Sequence, residues 1–426
     1  MLSNRNIAIL GFIIILLWFT QFLFSPSTDS PYVKYVDDLK GDEKGEGSRK
    51  EPFRNLQYAI DECDDGDTLV IKKGKYTAVP DTFIEELCGN CEKHNTPVIA
   101  IRGFILEGKR LTIKGSGADK TILQTNAGYG FLFLNSRGTQ ISGVTITGGR
   151  RDPDGNATDA GIVVKYSSVT IRDCRISDNT DFIDSVIVGI GGIIGREGSE
   201  LFIFNNEILN NSWDGIALYR GSIAYIADNI IEKGRGAGIG ITWDANAIIL
   251  RNRITYYWKG IGSFGDSRAL VKNNIVQDCL EWGIVAAGSS YMDACNNVVY
   301  HNGNCGMAAW SEDASGRFSN NIIVKNGWKE QWVAPGVGLQ NYGGIENFII
   351  SHNNIWGNEA GNYGDMKDLT GVNGNISQDP SFVNTFSGDY HLKENSPCID
   401  SGNPLITDSD GTVSDMGVYS GPGVVK

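Results

Sequence analysis

Hydrophobic and polar residues recur with a fixed period in the middle of the chain, between residues 213 and 321. Each copy opens with a glycine followed by an apolar residue and closes with an asparagine followed by aliphatic residues. The opening glycines lie 23, 22, 23 and 23 residues apart, and they are Gly215, Gly238, Gly260, Gly283 and Gly306. A fixed period of this length predicts a solenoid, in which each repeat buries its apolar face only against its neighbours.

The pattern inside one copy indicates strands. In the copy that opens at Gly215, apolar Ile216 and Leu218 alternate with outward positions, which is the two-residue period of a strand. A corner at residues 220–222 separates this strand from a second one, and Asn229 precedes a third. Helical repeats would space apolar residues three and four apart, and that spacing is absent. Three short strands per turn predict an all-β chain, a parallel β-helix.

One corner of every copy carries an asparagine. These residues lie 23, 23, 22, 23 and 24 residues apart, and they are Asn206, Asn229, Asn252, Asn274, Asn297 and Asn321. Stacked amide side chains can pass hydrogen bonds from one coil to the next. The column resembles the asparagine ladder of pectate-lyase-like right-handed parallel β-helices. The resemblance implies a right-handed solenoid and a structural role for the asparagines.

The segment before the coils resembles the N-terminal cap of extracellular right-handed β-helix proteins. It carries Pro-Phe at 52–53, Gln-Tyr-Ala-Ile at 57–60, Gly-Asp-Thr at 66–68 and Gly-Lys-Tyr at 74–76. Apolar residues at helical spacing predict an amphipathic helix from Pro52 to Glu62, with proline in its first turn. Such a helix would cover the open end of the solenoid and its edge strands.

The chain divides into four predicted parts. The repeat fades towards the C-terminus, where residues 388–404 resemble the C-terminal segment common in the same extracellular proteins. The parts are a signal anchor and linker at 1–31, a cap with the amphipathic helix at 32–96, parallel β-helix coils at 97–375 and a C-terminal cap segment at 376–426.

The N-terminal segment sets the predicted compartment. Residues 7–24 are 18 mainly apolar residues preceded by Arg5. This length just suffices to cross a bilayer, and no Ala-x-Ala cleavage site follows. We therefore favour an uncleaved signal anchor, with the membrane as a partner and the rest of the chain facing the extracellular side. The alternative is a cleaved signal peptide and a secreted protein.

Composition and charge limit the kinds of partner that we expect for this chain. The chain has 54 glycines and 11 prolines among 426 residues, which suits many corners and few helices. Its formal net charge of −13 makes nucleic acid an unexpected partner and is compatible with calcium and an extracellular setting. Some of the eight cysteines are expected to pair outside the cell, although their spacing does not fix the connectivity.

The outward positions of the first strand in each coil form the predicted substrate groove. In β-helix enzymes that act on polysaccharides, which this chain resembles, the cleft follows this strand. Its floor column is Val163, Ile194, Ala217, Gly240, Gly262, Val285 and Ala308. The predicted substrate-binding residues are Tyr166, Tyr219, Arg220, Trp243, Phe264 and Trp310. Insertions at 148–159, 178–184 and 325–335 are expected to wall the groove.

The candidate chemistry is β-elimination on an acidic polysaccharide. Lys165 and Arg196 share a column in adjacent coils and resemble the basic pair of several polysaccharide lyases. Elimination on a uronate needs a base for the C5 proton, an acid for the leaving oxygen and a partner for the carboxylate. The predicted catalytic residues are Lys165, Arg196, Asp244 and Asp266. Calcium is the candidate cofactor, with Asp181 and Asp184 as its ligands.

Two other functions remain open at this point. Asp244 and Asp266 occupy the same position in adjacent coils and could be the two carboxylates of a glycoside hydrolase. A non-catalytic surface protein could instead bind a glycan or another partner through the same face. Formation of an unsaturated uronate product separates these alternatives from a lyase.

Overall fold

The computed structural model describes residues 32–87, 97–153, 158–183, 186–329, 333–342, 347–421 and 424. In these residues the chain winds through successive coils, and strands of neighbouring coils pair in parallel to form three long sheets. The three strands of the coil that opens at Gly215 are Ile216–Leu218, Ile223–Ala227 and Ile230–Glu232. The predicted parallel β-helix is therefore confirmed.

Sheet I contains the first strand of each coil and carries the predicted groove. Its first pair, β4 and β5, is antiparallel, and the pairs that follow are parallel. Its strands are β4 (Asp81–Glu85), β5 (Val98–Glu107), β8 (Tyr129–Leu134), β11 (Ala160–Lys165), β16 (Gly191–Arg196), β19 (Ile216–Leu218), β22 (Ala237–Ile241), β25 (Lys259–Ser263), β28 (Trp282–Ala286), β31 (Met307–Ala309), β34 (Leu339–Asn341) and β37 (Tyr363–Gly364).

Sheets II and III contain the second and third strands of each coil. Sheet II is β1 (Val33–Val36), β2 (Thr68–Ile71), β6 (Thr112–Lys114), β9 (Arg137–Ser142), β12 (Ser168–Arg172), β17 (Glu200–Phe204), β20 (Ile223–Ala227), β23 (Asn246–Leu250), β26 (Arg268–Lys272), β29 (Tyr291–Cys295), β32 (Ser315–Ser319) and β35 (Phe348–Ser351). Sheet III is β3 (Gly74–Thr77), β7 (Thr121–Gln124), β10 (Thr145–Thr147), β13 (Arg175–Ser177), β18 (Glu207–Leu209), β21 (Ile230–Glu232), β24 (Arg253–Thr255), β27 (Ile275–Gln277), β30 (Val298–Tyr300), β33 (Ile322–Val324) and β36 (Asn354–Trp356).

Two hairpins and two short helical segments lie outside these sheets. The hairpins are β14 (Asp181–Ile183) with β15 (Val186–Val188), and β38 (Phe382–Asn384) with β39 (Asp389–Leu392). The helical segments are α1 (Leu56–Glu62) and the 3₁₀ turn Thr385–Ser387.

Helix α1 is shorter than the predicted helix, which began at Pro52. The side chain of Asn55 caps it by accepting a hydrogen bond from the backbone N–H of Tyr58. The backbone of Phe53 is instead bonded to β1, because its N–H donates to the carbonyl of Tyr35 and its carbonyl accepts from Asp37. The buried face of α1 packs against β1, β2 and β5.

The interior of the solenoid is filled by aliphatic stacks along its axis. Ile216, Ile239, Ile261, Ile284 and Met307 are register partners in consecutive coils of sheet I, and each is 0% exposed. Burial of each such side chain contributes roughly 1.5–3 kcal/mol of transfer free energy. Every coil depends on both neighbours for this burial, so the stacks connect the coils into one core.

The predicted asparagine ladder is confirmed and extends further than the sequence indicated. Each ladder side chain from Asn206 onward donates from Nδ2 to Oδ1 of the next, at 2.9–3.1 Å. It continues through Asn353 to Asn375 beyond the predicted end at Asn321. At the other end the backbone N–H of Cys174 donates to Asn206.

A second asparagine column lies at the corner between sheets III and I, which the sequence did not predict. Asn179 donates to Asn211 at 2.8 Å, and Asn302 donates to Asn326, which donates to Asn358, at 2.9 Å each. These two runs are separated by coils with other residues at this corner. The interruption explains why the column does not show as a repeat in the sequence.

The described cysteines are buried and unpaired: Cys63, Cys174, Cys279, Cys295, Cys305 and Cys398. Cys88 and Cys91 lie outside the described residues, as does the predicted signal anchor at 7–24. Within the described ranges, which start at residue 32, no helix has both the length and the apolar character needed to cross a membrane.

Candidate functional site

The predicted floor of the groove forms one column on the outer face of sheet I. Its members pair in register from coil to coil: Val163, Ile194, Ala217, Gly240, Gly262, Val285 and Ala308. Val163, Ile194 and Ala217 are covered by one outer cluster, and Val285 and Ala308 by another. A Cβ added at Gly240 would have only Ala237 within 4 Å, at 3.5 Å. The least crowded part of the floor is therefore at Gly240, although the residue itself is buried.

Lys165 lies at the covered N-terminal end of this face. Its side chain is paired with Glu85 of β4 at 2.5 Å, and the two residues are 7% and 1% exposed. The ammonium also lies 5.9 Å from the ring centroid of Tyr166, whose own side chain is 43% exposed. Lys165 thus neutralises a buried carboxylate in this structure, and its removal would leave Glu85 unpaired.

Arg196 is the register partner of Lys165, as predicted, and is 0% exposed. Its guanidinium donates to Glu197 at 2.6 Å, to the hydroxyl oxygens of Tyr129 at 3.0 Å and Thr158 at 2.9 Å, and to the carbonyl of Leu87. These contacts lock the loops that cover the N-terminal end of sheet I. The structure thus brings the predicted basic pair, Lys165 and Arg196, together. Both side chains are buried beneath these loops and are engaged in ion pairs and hydrogen bonds.

Two buried aspartates lie beneath the same loops, at the N-terminal end of sheet I. Asp152 and Asp159 are 1% and 3% exposed, and Asp159 is paired with Arg151. Oδ2 of Asp152 and Oδ1 of Asp159 have no hydrogen-bond partner atom among the described residues. Burial, reinforced by the charge of Asp159, raises the pKa of Asp152 to about 8. The raised pKa favours a protonated Asp152 at neutral pH, which is hydrogen-bonded to the side chain of Asp159.

This pair predicts a pH-dependent stability. Because the pKa of Asp152 is raised in the folded state, its contribution is complete below the unfolded pKa near 4 and is lost as the pH rises towards 8. We expect the Tm of the protein to fall between pH 5 and pH 9. Asp152→Asn mimics the protonated acid and should flatten this fall, as measured by circular dichroism. Exposed Asp266→Asn is the control and should leave the slope unchanged; a slope unaffected by Asp152→Asn would contradict the assignment.

The open middle of the groove contains a lysine that the sequence reasoning missed. Lys259 is partly exposed, and its Nζ lies 5.5 Å from the ring centroids of Trp258 and Trp282 and 5.8 Å from that of Phe264. Burial lowers the pKa of Lys259, and the nearby carboxylates of Asp214 and Glu281 oppose this shift. An ammonium in this position is poised to lose its proton more readily than an exposed lysine.

Glu281 extends the charged group at Lys259. It is 0% exposed, its Oε1 lies 3.4 Å from Nζ of Lys329, and its Oε2 has no hydrogen-bond partner among the described residues. Lys329 belongs to the predicted wall at 325–335. The wall is therefore connected to the lysine of the floor through one buried carboxylate.

Asp214 lies two coils before Lys259 on the same outer column. The backbone N–H of Ala237 donates to its Oδ1 at 2.6 Å, and the hydroxyl of Tyr219 is hydrogen-bonded to its carboxylate. Burial raises the pKa of Asp214 to about 6, although Ala237 and the ammonium of Lys259 oppose the shift. At neutral pH the open floor thus carries a carboxylate and an ammonium whose pKa values are both shifted towards 7.

Three of the predicted aromatic residues border this pair. The rings of Tyr219 and Trp243 lie 5.4 Å apart between centroids, and the guanidinium of Arg220 lies 5.5 Å over the Trp243 ring. Phe264 lies over Gly262, where a Cβ would clash with the ring. We call this group the central site, and it consists of Asp214, Tyr219, Arg220, Gly240, Trp243, Lys259 and Phe264.

The remaining predicted residues lie at other places on the same face. Asp244 and Asp266 are exposed in the corner that follows sheet I, and Oδ1 of Asp244 accepts from the backbone N–H of Gly221 at 2.7 Å. Trp310 packs edge-on against Trp282 at 5.1 Å, towards the C-terminal end of the sheet. The structure therefore does not bring Lys165 and Arg196 together with Asp244 and Asp266 in one open cleft.

The predicted calcium site falls partly outside the described residues, because Asp184 is not among them. Oδ2 of Asp181 accepts a hydrogen bond from the backbone N–H of Arg151 at 3.1 Å. In the part of the chain that the structure describes, no three acidic, histidine or cysteine side chains converge in an arrangement that could hold a metal ion. We therefore derive no catalytic step through calcium.

Asp214 and Lys259 share one position in the repeat, the residue before each opening glycine, and this position could have indicated them from the sequence. Asp214, Ala237, Lys259, Trp282 and Cys305 occupy this position in five consecutive copies. The register of sheet I stacks Ala237, Lys259 and Trp282. Scanning this column as well as those after the glycine would have placed an acid and a base two coils apart.

Comparisons with known proteins agree with this architecture. A family model described as a right handed beta helix region matches residues 189–355. Pectate lyase Pel9A is 14% identical, with a TM-score of 0.54 over 92% of this chain and 96% of that protein. The Azotobacter vinelandii mannuronan C-5 epimerase AlgE4 A-module is 14% identical, with a TM-score of 0.48 over 76% of this chain and 90% of that module.

A third similar structure is a rhamnogalacturonan lyase, 12% identical with a TM-score of 0.43 over 86% of this chain and 95% of that chain. No curated protein matches the chain by sequence. At these identities the structural similarity concerns the fold and not the reaction. The chain folds as a pectate-lyase-like right-handed parallel β-helix, and residues 189–355 of it match the family model of the right handed beta helix region.

Proposed function

We propose that the protein acts on an acidic polysaccharide and cleaves it by β-elimination at the central site. The observation that carries the proposal is the placement of Asp214 and Lys259 two coils apart in one outer column of sheet I, close enough for each charge to influence the pKa of the other, with the two pKa values shifted in opposite directions. General acid–base catalysis is most efficient when both groups titrate near the working pH. A polymer lying along the solenoid axis would pass over both groups.

In the proposed reaction the ionised carboxylate of Asp214 removes the C5 proton of a uronate residue. The electron pair of that C–H bond forms the C4–C5 double bond, and the C4–O4 bond breaks. The ammonium of Lys259 donates a proton to the departing oxygen. Arg220 is the proposed contact for the uronate carboxylate: its Nε donates to Glu197 at 2.6 Å, and its side chain is partly exposed. Trp243 and Phe264 offer ring faces to the sugars.

This assignment replaces Lys165 and Arg196 as the proposed base. Lys165 is held by Glu85, and Arg196 by four partners, beneath the covered end of sheet I. We propose that they hold the covering loops in place. The signal anchor at 7–24, an extracellular location and calcium as cofactor remain proposals that stand on the sequence.

The test is incubation of the purified full-length protein with a panel of uronate polymers that includes pectate and alginate. Elimination produces a conjugated uronate, which is followed by its ultraviolet absorbance. The activity should follow a bell-shaped pH profile, rising through the pKa of Asp214 near 6 and falling as Lys259 loses its proton. New reducing ends without ultraviolet absorbance would indicate hydrolysis, for which Asp244 and Asp266 are the candidates. Binding without any product would indicate a non-catalytic glycan-binding protein.

A further inference from the structure

A second concave site lies on a different face of the solenoid, between sheet III and the C-terminal segment. Its volume is about 330 Å³, which is in the range of small-ligand sites. We call it the C-terminal cleft, and it is lined by Tyr300, Val324, Lys325, Trp356, Asp379, Pro380, Ser381, Phe382, Thr385 and Lys393. None of these residues belongs to the central site.

The floor of the C-terminal cleft follows the solenoid axis. Tyr300, Val324 and Trp356 are register partners in three consecutive coils of sheet III. Successive coils rise by roughly 4.8 Å, so the two aromatic rings are about 10 Å apart along the axis. Val324 between them is 1% exposed. An aromatic floor of this length suits the flat faces of one or two pyranose rings.

The walls of the cleft are held in place by the C-terminal hairpin. Tyr390 of β39 packs against Tyr300 with ring centroids 5.4 Å apart and against Phe382 at 5.1 Å. The backbone N–H of Lys393 donates to the carbonyl of Ser381 at 3.0 Å. These contacts fix the hairpin on sheet III, so the cleft is a built feature of the fold.

The charges in the cleft favour an anion. Nζ of Lys325 lies 4.4 Å over the ring centroid of Trp356, and Lys393, a second lysine, also lines the cleft. The cleft contains one carboxylate, Asp379, whose Oδ1 already accepts from the backbone N–H of Ser381 at 2.8 Å. A local excess of positive charge on a chain of net charge −13 marks this place as unusual.

We propose that the C-terminal cleft binds an acidic sugar residue, a pyranose that carries a carboxylate, through Trp356, Lys325 and Lys393. The carboxylate would pair with the two ammonium groups, and the sugar face would pack on the aromatic floor. The site would hold a polysaccharide on a face separate from sheet I. The proposal goes beyond the proposed elimination and does not require it, since binding here needs no chemistry at the central site.

The test uses the full-length protein labelled with 5-fluorotryptophan, so that fluorine NMR resolves its nine tryptophans. Trp356→Phe assigns the resonance of the cleft, and Trp243→Phe assigns one at the central site. The probe is a trisaccharide of galacturonic acid, and the matched neutral probe is a trisaccharide of galactose. We expect only the acidic probe to shift the Trp356 resonance saturably. Lys325→Ala combined with Lys393→Ala should weaken that binding by at least about tenfold.

The matched control is Lys233→Ala. Lys233 follows strand β21 as Lys325 follows β33, and both residues have a left-handed backbone, with φ of 62° and 60°. Lys233 is outside the cleft, so its replacement should leave the binding unchanged. Unaltered binding by the double variant would overturn the proposal, and so would equal binding of the neutral probe. If acetate alone saturated the Trp356 shift, the cleft would be a site for small anions and the proposal of a sugar site would be overturned.

The outcomes separate this inference from the proposed function. A Trp356 shift without product on any polymer would support the cleft and reject the elimination. Product formation without a shift of the Trp356 resonance would support the elimination and reject binding in the cleft. The Trp243 resonance reports binding at the central site independently in the same spectrum.

Discussion

Replacement of Lys259 by methionine is expected to lower kcat on the preferred uronate polymer by about 10²–10⁴-fold, the usual contribution of a general acid. Methionine keeps the length of the side chain and can pack its sulfur against the surrounding rings of Trp258, Trp282 and Phe264. The variant should therefore fold and bind the polymer. The measurement is the initial rate of unsaturated product at saturating polymer.

Lys259→Arg tests whether the proton or only the charge matters. Arginine keeps a positive charge near Asp214 but does not release a proton at accessible pH. We expect binding close to that of the native protein, with turnover reduced nearly as far as in Lys259→Met. Asp214→Asn should lower turnover strongly because the base is removed, and the residual rate should lack the acidic limb of the pH profile, because the group whose pKa is about 6 is then absent.

The control for these variants is Lys233→Met, which changes an exposed lysine just after strand β21 of sheet III. It should retain the native rate. A Lys259→Met protein whose rate stays within about threefold of the native rate would reject Lys259 as the acid, because such a change is under 1 kcal/mol of transition-state stabilisation. Loss of rate in Lys165→Met with loss of thermal stability would fit the structural role of the Lys165–Glu85 pair.

The sequence predicted the architecture because the residues that define each coil lie close together in the chain. The opening glycines and the ladder asparagines recur once per coil, and stacking them fixes which residues are neighbours. The floor column from Val163 to Ala308 and the pairing of Lys165 with Arg196 were correct for this reason. Period alone sets the register of a solenoid, since each coil contacts only the next.

Exposure of the outer face could not be predicted in the same way. Lys165 is covered through Glu85, 80 residues earlier, and Arg196 is bonded to Leu87, 109 residues earlier. Both partners belong to an irregular segment with no repeat to align. Whether a charged residue on sheet I is solvated or buried depends on these loops, and the columns of the repeat do not contain them.

The central site was only partly accessible to sequence reasoning. Tyr219, Trp243 and Phe264 were predicted as substrate contacts, and the structure packs Tyr219 against Trp243 and places Phe264 over Gly262. Asp214 and Lys259 occur in a column otherwise filled by unrelated residues, so no repeated chemical type marks it. Their shifted pKa values arise from burial between neighbouring coils, which is a property of the folded solenoid.

Replacement of Asn274 by alanine is expected to produce the largest loss of stability in the coils. Asn274 is 0% exposed, and its Nδ2 lies within 3.0 Å of the carbonyls of Ile249 and Lys272 and of Oδ1 of Asn297. Its Oδ1 accepts from the backbone and the side chain of Asn252. Alanine would leave these buried groups unsatisfied, at a cost on the order of 4 kcal/mol.

The place in the solenoid where Asn274→Ala lowers stability is as informative as the size of the loss. Coils interact only with their neighbours, so the loss should be greatest where β23 and β26 flank the ladder and small in distant strands such as β6. Hydrogen exchange of the full-length protein measures this gradient. Asn246→Ala is the matched control, because Asn246 lies in the preceding coil, at the start of β23, and its side chain makes one exposed hydrogen bond, to the carbonyl of Asp244. Equal protection in Asn274→Ala and Asn246→Ala would show that the ladder does not stabilise the coils, since the two variants differ mainly in the buried amide network.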